Sequence, residues 1–356
     1  MIKVLKVIII NIIILVILLV VIELFFGSWF KKNNIGSLLI PKQQSNLITS
    51  FPYKSKDIGI YTRDQYGFRA NTHDLKDINI LILGGSTTEE REIDDQRIWT
   101  KIFEKNLRKK LKVLNAGIGG QTSLGHKEMF NLWFNNLDAL SPDYILVFLG
   151  INDALYLIEN ITEKKTQGDI TSDKLITGRN INNSNRDELI NIRQLDKIVQ
   201  YIKNNSILHS LYLVIKGNLI SNKYRLNYNN NIKTFKPYVT RSPKISILSE
   251  TYLDQFETYY HNNLLKIYNY TNEYNSDLIL VTQTVSSKHW IKEYLEIINK
   301  FTLSFCEIKK IQCIDLDQKI SDLSDIFFYD GMHTDPVGSK IIGEFIAKEF
   351  NKLNIE

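Results

Sequence analysis

The stretch Ile78-Asn79-Ile80-Leu81-Ile82-Leu83-Gly84-Gly85-Ser86-Thr87-Thr88 constrains this chain more than any other. A β-branched and leucine run that stops at two glycines reads as a buried strand ending in an abrupt turn. Gly84 and Gly85 lack the Cβ that would crowd such a turn, so the turn can push the Ser86 hydroxyl out beyond the strand. In an open α/β sheet the carboxyl end of the strands is where ligands bind. The rest of the chain must supply Ser86 with a base, an orienting acid and oxyanion donors, or leave it an ordinary turn residue.

From residue 78 onward, strand patterns alternate with helical ones. Strands are expected at 78–83, 112–114, 144–149, 277–282 and 311–316. Helices are expected at 97–111, 124–140, 253–274, 292–309 and 337–350, the last with Pro336 in its first turn, where a missing N–H costs little. Such alternation predicts an α/β fold: a three-layer α/β/α sandwich around a five-stranded, mostly parallel sheet. With 356 residues, 44% of them hydrophobic, the chain has ample material for a sizeable core. The rhythm breaks between 156 and 251, a stretch rich in Asn, Lys and Ser. We read 78–356 as one domain and 156–251 as an insertion lying over the carboxyl edge, either a lid or a variable surface excursion.

Ahead of this domain, 1–30 reads as a membrane anchor. Lys3 and Lys6 precede an apolar run broken only by Asn11 and Glu23, and Phe25, Phe26, Trp29 and Phe30 close it with an aromatic end. The run is long enough for a helix to cross a hydrocarbon core of about 30 Å. A cleaved signal peptide is the competing reading, but no small-x-small site follows and the run exceeds an ordinary apolar region. An uncleaved single-pass anchor is therefore expected, with the amino terminus in the cytoplasm and the domain outside, although Lys31 and Lys32 compete with Lys3 and Lys6. Residues 31–77 form a linker or strap. Within it, Asp64-Gln65-Tyr66-Gly67-Phe68-Arg69 is a turn, and Arg69 is a candidate for pinning the strap to the domain.

Several classes are excluded. The net charge of +5 is spread along the chain without a basic block, so no nucleic-acid partner is expected. Two cysteines exclude a disulfide-rich scaffold and a four-cysteine zinc site. Cys306 and Cys313 are within reach of one bridge, but the plainer expectation is two small buried apolar residues. No His/Asp/Glu cluster has ligand spacing, so neither a metal nor a cofactor is expected. Gly117-Ile118-Gly119-Gly120 invites a nucleotide-loop reading, yet the G-x-G-x-x-G spacing is missing.

Four short blocks fall at loops: Gly84-Gly85-Ser86-Thr87-Thr88, Asn115-Ala116-Gly117-Ile118-Gly119-Gly120, Gly150-Ile151-Asn152-Asp153 and Asp330-Gly331-Met332-His333. Parallel strands bring the first three to one edge, and the fourth precedes a helix on the same sheet. A serine hydroxyl needs a base, and histidine suits that near neutral pH. Asp330 can fold back onto Nδ1 of His333, leaving Nε2 to face Ser86. Backbone N–H groups of Ser86 and Gly120, with the amide of Asn152, are the candidate oxyanion hole. His73, His126, His209, His261 and His289 lack such partners and are expected on surfaces. Alone, each block has a plain reading as a turn or a helix cap.

Together the four blocks resemble the SGNH, or GDSL-type, hydrolase family, over roughly 78–155 and 253–350. The resemblance implies a flavodoxin-like sheet, with Ser86, His333 and Asp330 catalytic and Ser86, Gly120 and Asn152 as oxyanion hole. Gly85 and Thr87 depart from the family's Asp and Leu, which puts the subfamily in doubt but not the nucleophile. The implied activity is a serine esterase acting on a small acyl group, such as O-acetyl, on an acylated small molecule or envelope glycan. An O-acyltransferase using the same site and a non-catalytic glycan-binding protein on the same fold are the alternatives.

Overall fold

The computed structural model describes residues 2–26, 29, 44–48, 51–53, 59–162, 206–208, 211–212, 249–320 and 325–353. The expected lid, 156–251, lies mostly outside them; its first residues continue a helix that runs to Thr162, and its last two begin the next helix at Glu250.

Helix α1 (Ile2–Phe26) is apolar around its whole circumference, and its side chains from Leu5 to Phe26 are largely exposed. Its apolar stretch Leu5–Phe26 is 22 residues long. At about 1.5 Å per residue this matches a bilayer core. The same length and composition also fit a signal sequence. Near its end, the Glu23 carboxylate accepts hydrogen bonds from Ser206 Oγ (2.5 Å) and from the N–H groups of Ile207 and Leu208 (3.1 Å each).

The strap forms an antiparallel ribbon, β1 (Gln44–Ile48) with β2 (Gly59–Arg63). The sheet that follows is built from β3 (Ile80–Gly84), β4 (Val113–Asn115), β5 (Tyr144–Phe148), β6 (Asp277–Val281) and β7 (Gln312–Ile314). All its pairings are parallel and the order is β4-β3-β5-β6-β7, the flavodoxin-like arrangement. Strand side chains alternate between two cores, so these strands read as unbroken apolar runs. Leu81, Leu83, Ile145, Val147, Leu278 and Leu280 face one core. On that face lie α4 (Ser123–Leu132), α5 (Ile151–Thr162), α6 (Glu250–Glu273) and α7 (Lys292–Lys309), which follow α2 (Ser86–Glu89) and α3 (Trp99–Asn106) in the chain. Ile80, Ile82, Leu146, Phe148, Ile279 and Val281 face the other core. That second face is covered by α3 and by the terminal helix α9 (Pro336–Phe350), which follows the single turn α8 (Leu316–Lys319). Helices α3 and α9 meet edge to face through Phe103 and Phe350, with ring centroids 5.4 Å apart.

Three expectations change. The helix expected over 97–111 ends at Asn106, because Leu107 turns extended (φ −69°, ψ 137°). The helix expected over 124–140 ends at Leu132. Trp133 leaves helical geometry to stack on Phe68 of the strap, 4.5 Å between centroids, and to donate Nε1–H to Tyr66 O at 2.9 Å. Cys306 and Cys313, read as free, are joined by a disulfide that ties the last turn of α7 to β7.

Candidate active site

Strand β3 runs straight into α2, and Ser86 is the first residue of that helix. The two glycines are required here by space. A Cβ on Gly84 would lie 2.0 Å from Thr88 Oγ1, and one on Gly85 would lie 2.6 Å from Asn152 Nδ2. The helix lasts one turn and stops at Glu90, a non-glycine residue held at φ +45°, a left-handed conformation that costs about 1–2 kcal/mol. Thr87 is held from two sides: its carbonyl accepts from Trp99 Nε1–H (3.0 Å), and its Oγ1 accepts from Gln283 Nε2 (3.1 Å). Gln283, just after β6, also donates to Phe148 O and accepts from Ile151 N–H, locking three strand ends together.

The base comes from the loop before α9. Ser86 Oγ and His333 Nε2 are 2.7 Å apart, and His333 Nδ1 is 2.7 Å from Asp330 Oδ2. The other carboxylate oxygen of Asp330 accepts from the N–H groups of Met332 (2.9 Å) and His333 (2.7 Å). Gly331, at φ +90°, makes this fold-back possible, and a Cβ there would lie 2.5 Å from His289 Cδ2. Burial by itself would lower the basicity of His333, but the hydrogen bond and charge of Asp330 raise it above the ordinary histidine value. Burial likewise opposes ionisation of Asp330, yet the contacts with His333 and the two N–H groups hold its carboxyl below the usual range. The Tyr329 ring stacks on His333 at 5.8 Å, and its hydroxyl donates to Glu92 Oε2 at 3.2 Å.

The structure brings Ser86, His333 and Asp330 into one hydrogen-bonded line. Gly120 (φ +83°) ends the loop that follows β4, and the neighbouring Gly119 packs on Ser86, its ideal Cβ position 3.7 Å from Ser86 Cβ. Among the described residues, no group accepts the N–H of Ser86 or of Gly120. Asn152, on the first turn of α5, places its amide nitrogen beside Gly85 and donates one N–H to Gln121 O at 2.9 Å, leaving the second without an acceptor among the described residues. Asp153, beside it, is a structural anchor: its buried carboxylate accepts from Ser123 N–H (3.0 Å) and Oγ–H (2.6 Å) at the start of α4.

Sequence reasoning missed the buried charges around this site. Glu89 is almost fully buried between Arg63 (3.0 Å), Arg91 (3.0 Å) and the Tyr61 hydroxyl (2.8 Å). Burial alone would raise its carboxyl, but the two arginines and these hydrogen bonds bring it down to about 2. Glu90 is its opposite. Burial pushes its carboxyl up to about 8 even though it accepts from Trp99 N–H (2.6 Å), so it is largely protonated at neutral pH while capping α3. Arg69 is also buried; it ion-pairs with Asp95 and donates to the carbonyls of Glu89 (3.1 Å) and Ile93 (2.7 Å). The signal available in the sequence was the pair Glu89-Glu90 directly after the serine turn, with two arginines flanking the Asp64–Phe68 turn. His126, expected on a surface, is buried with no partner for either ring nitrogen among the described residues, and burial drops its basicity to about 3. His73 and His261 are half-buried and bond to Glu104 (2.6 Å) and Phe301 O (2.8 Å), and His209 lies outside the described residues.

Residues 82–246 match the GDSL-like Lipase/Acylhydrolase family. The matched span holds Ser86, Gly120 and Asn152; Asp330 and His333 lie beyond it and join the site through the fold. No curated protein matches the chain. Among solved structures, a member of the lipolytic protein G-D-S-L family from Veillonella parvula is 13% identical with a TM-score of 0.43, covering 78% of this chain and 100% of that one. The psychrotrophic esterase EstA from Pseudoalteromonas sp. is 13% identical with a TM-score of 0.42, covering 78% and 98%. A carbohydrate acetylesterase from Sinorhizobium meliloti is 10% identical with a TM-score of 0.38, covering 78% and 99%. At these scores the structural likenesses carry no argument about substrate. The match spans somewhat under half of the chain, and as a similarity it supports an ester-bond hydrolase.

Proposed function

We propose that the chain is a membrane-anchored serine esterase that removes a short acyl group, with acetyl the first candidate, from an ester on an envelope glycan. The observation that carries the reading is the unbroken line of hydrogen bonds from Asp330 through His333 to Ser86. In this mechanism Ser86 Oγ attacks the ester carbonyl while its proton passes to His333 Nε2. The tetrahedral oxyanion accepts hydrogen bonds from Ser86 N–H, Gly120 N–H and the second N–H of Asn152, each such donor being worth about 3 kcal/mol. Collapse breaks the carbonyl carbon's bond to the alcohol oxygen, which takes the proton from His333. Water, deprotonated by the same imidazole, then releases the acid and restores Ser86.

The cavity beside Ser86 and His333, lined also by Glu90, Ile93 and Tyr329, has room for about one water. The length of α1 supports anchoring, and the Cys306–Cys313 bridge supports an oxidising compartment outside the cytoplasm. The glycan part rests on the polar, tyrosine-bearing composition of the 156–251 insertion. The test is hydrolysis of p-nitrophenyl acetate and of acetylated glycans by the full-length chain in detergent. Turnover that disappears in Ser86→Ala is expected. Turnover retained in Ser86→Ala overturns the assignment of the nucleophile.

A further inference from the structure

The buried pair Arg63–Glu89 takes no part in the proton path just described, yet it stands beside it. Arg63 comes from the strap and Glu89 sits three residues after Ser86; each retains only 2% of its surface exposure. Taking two charges out of water is costly, so such a pair is an expensive way to hold a strap in place. What it touches is the glycine loop. Glu89 Oε2 accepts Gly119 N–H at 2.8 Å, and Arg63 Nη2 donates to Gly117 O at 2.8 Å. Between these contacts, Ile118 N–H donates to Gly84 O at 2.9 Å, on the strand end that leads to Ser86. The loop also lies as close as glycine allows, since a Cβ on Gly117 would be 2.5 Å from Glu89 N. With these groups committed, the next N–H along the chain, that of Gly120, is the first without a protein acceptor among the described residues.

We infer that Arg63 and Glu89 form a clamp, bridging the strap and the nucleophile helix, that positions the Gly119–Gly120 peptide so that Gly120 N–H donates to the oxyanion. The inference rests on the esterase reading above. Both are positioning residues: they act through the loop, and neither bonds to Ser86 Oγ or His333. The geometry gives a reason for the strap to be part of the catalytic apparatus. Misplacing a catalytic group by about 1 Å costs on the order of 10²-fold in rate, and losing an oxyanion donor costs about 10²- to 10³-fold.

The experiment compares full-length wild type with Glu89→Ala, Glu89→Gln and Arg63→Lys, using p-nitrophenyl acetate turnover and inhibition by methylboronic acid, whose serine adduct is tetrahedral. In Glu89→Ala, kcat is expected to fall about 10²-fold with KM within about twofold, and the boronate inhibition constant to rise in parallel with the loss of kcat. Glu89→Gln keeps an acceptor for Gly119 N–H and is expected to recover about tenfold of that loss. A purely structural role would lower the melting temperature and leave kcat of the folded enzyme and the boronate affinity unchanged. That outcome overturns the clamp. If Glu89→Ala does not fold, Arg63→Lys decides. Lysine keeps the charge but cannot span Gly117 O, Tyr61 and Glu89 at once, so wild-type kcat in that variant also overturns the clamp. Ser86→Ala, run alongside, keeps the two ideas apart: residual turnover there sinks the esterase reading, whereas its loss with unchanged kcat in the clamp variants sinks the clamp alone.

Discussion

Ser86 and His333 meet at 2.7 Å, but the segments that carry them are held by different means. The serine half is tied to distant parts of the chain by buried polar groups: Arg63 and Arg69 from the strap, Glu89 and Glu90 just after Ser86, and Gln283 from the end of β6. In the histidine half, the hydrogen bonds that orient the imidazole are local. Asp330 accepts three hydrogen bonds from the two residues at the end of its own loop, and one glycine makes the fold-back possible. Aligning a nucleophile with oxyanion donors from several strand ends needs long-range constraints, whereas orienting an imidazole needs one carboxylate nearby.

Variants on each side can break or sharpen that contrast. The largest effect is expected on the local half, because in the proposed mechanism it carries the proton. His333→Ala should lower kcat by about 10⁴- to 10⁶-fold and Asp330→Asn by up to about 10⁴-fold, both with little change in melting temperature. The pH profile is the finer readout. Asp330 raises the His333 basicity, so kcat/KM should rise with pH along a limb lying above the ordinary histidine value, and that limb should move down in Asp330→Asn. Stability has the opposite sense: the His333–Asp330 contribution is fully present below the unfolded histidine value and is lost as pH rises through the raised folded one. A limb unmoved by Asp330→Asn would contradict the pairing.

On the distributed half, outside the Arg63–Glu89 clamp, the cost should appear in stability. Arg69→Ala leaves the buried Asp95 without its ion-pair partner and the carbonyls of Glu89 and Ile93 without the Arg69 donor, which should destabilise the domain by about 3–5 kcal/mol in a denaturant titration. A change below 1 kcal/mol would show that the strap is merely adjacent. The smallest effect belongs to the Cys306–Cys313 bridge. It closes a short loop between α7 and β7, so its reduction should cost about 2 kcal/mol and a few degrees of melting temperature with kcat unchanged.

The same contrast explains what was legible in the sequence. Strands flanked by two cores must be apolar on both faces, so β3, β5 and β6 were readable to within two residues, and Asp330 and His333 were readable because their relation is local. The early end of α3 was hidden because Leu107 and Leu111 keep helical spacing and still pack on the core after the chain has left the helix. Trp133 broke α4 for a partner, Phe68, far away in sequence. Arg63 and Glu89 were invisible for the same reason: nothing local tells a buried arginine in a ribbon from an exposed one. His126 sits at helical spacing from Met129 and Phe130 on the inner face of α4, a position its polar character disguised.

In the proposed mechanism the Oγ of Ser86 is the atom that becomes acylated. A fluorophosphonate probe incubated with the full-length chain in detergent, followed by peptide mass mapping, tests this directly. The expected result is one adduct on the peptide containing Ser86, formed with the pH limb of His333 and absent in Ser86→Ala. An adduct that persists in Ser86→Ala, or that maps to another residue in the wild type, would contradict the account.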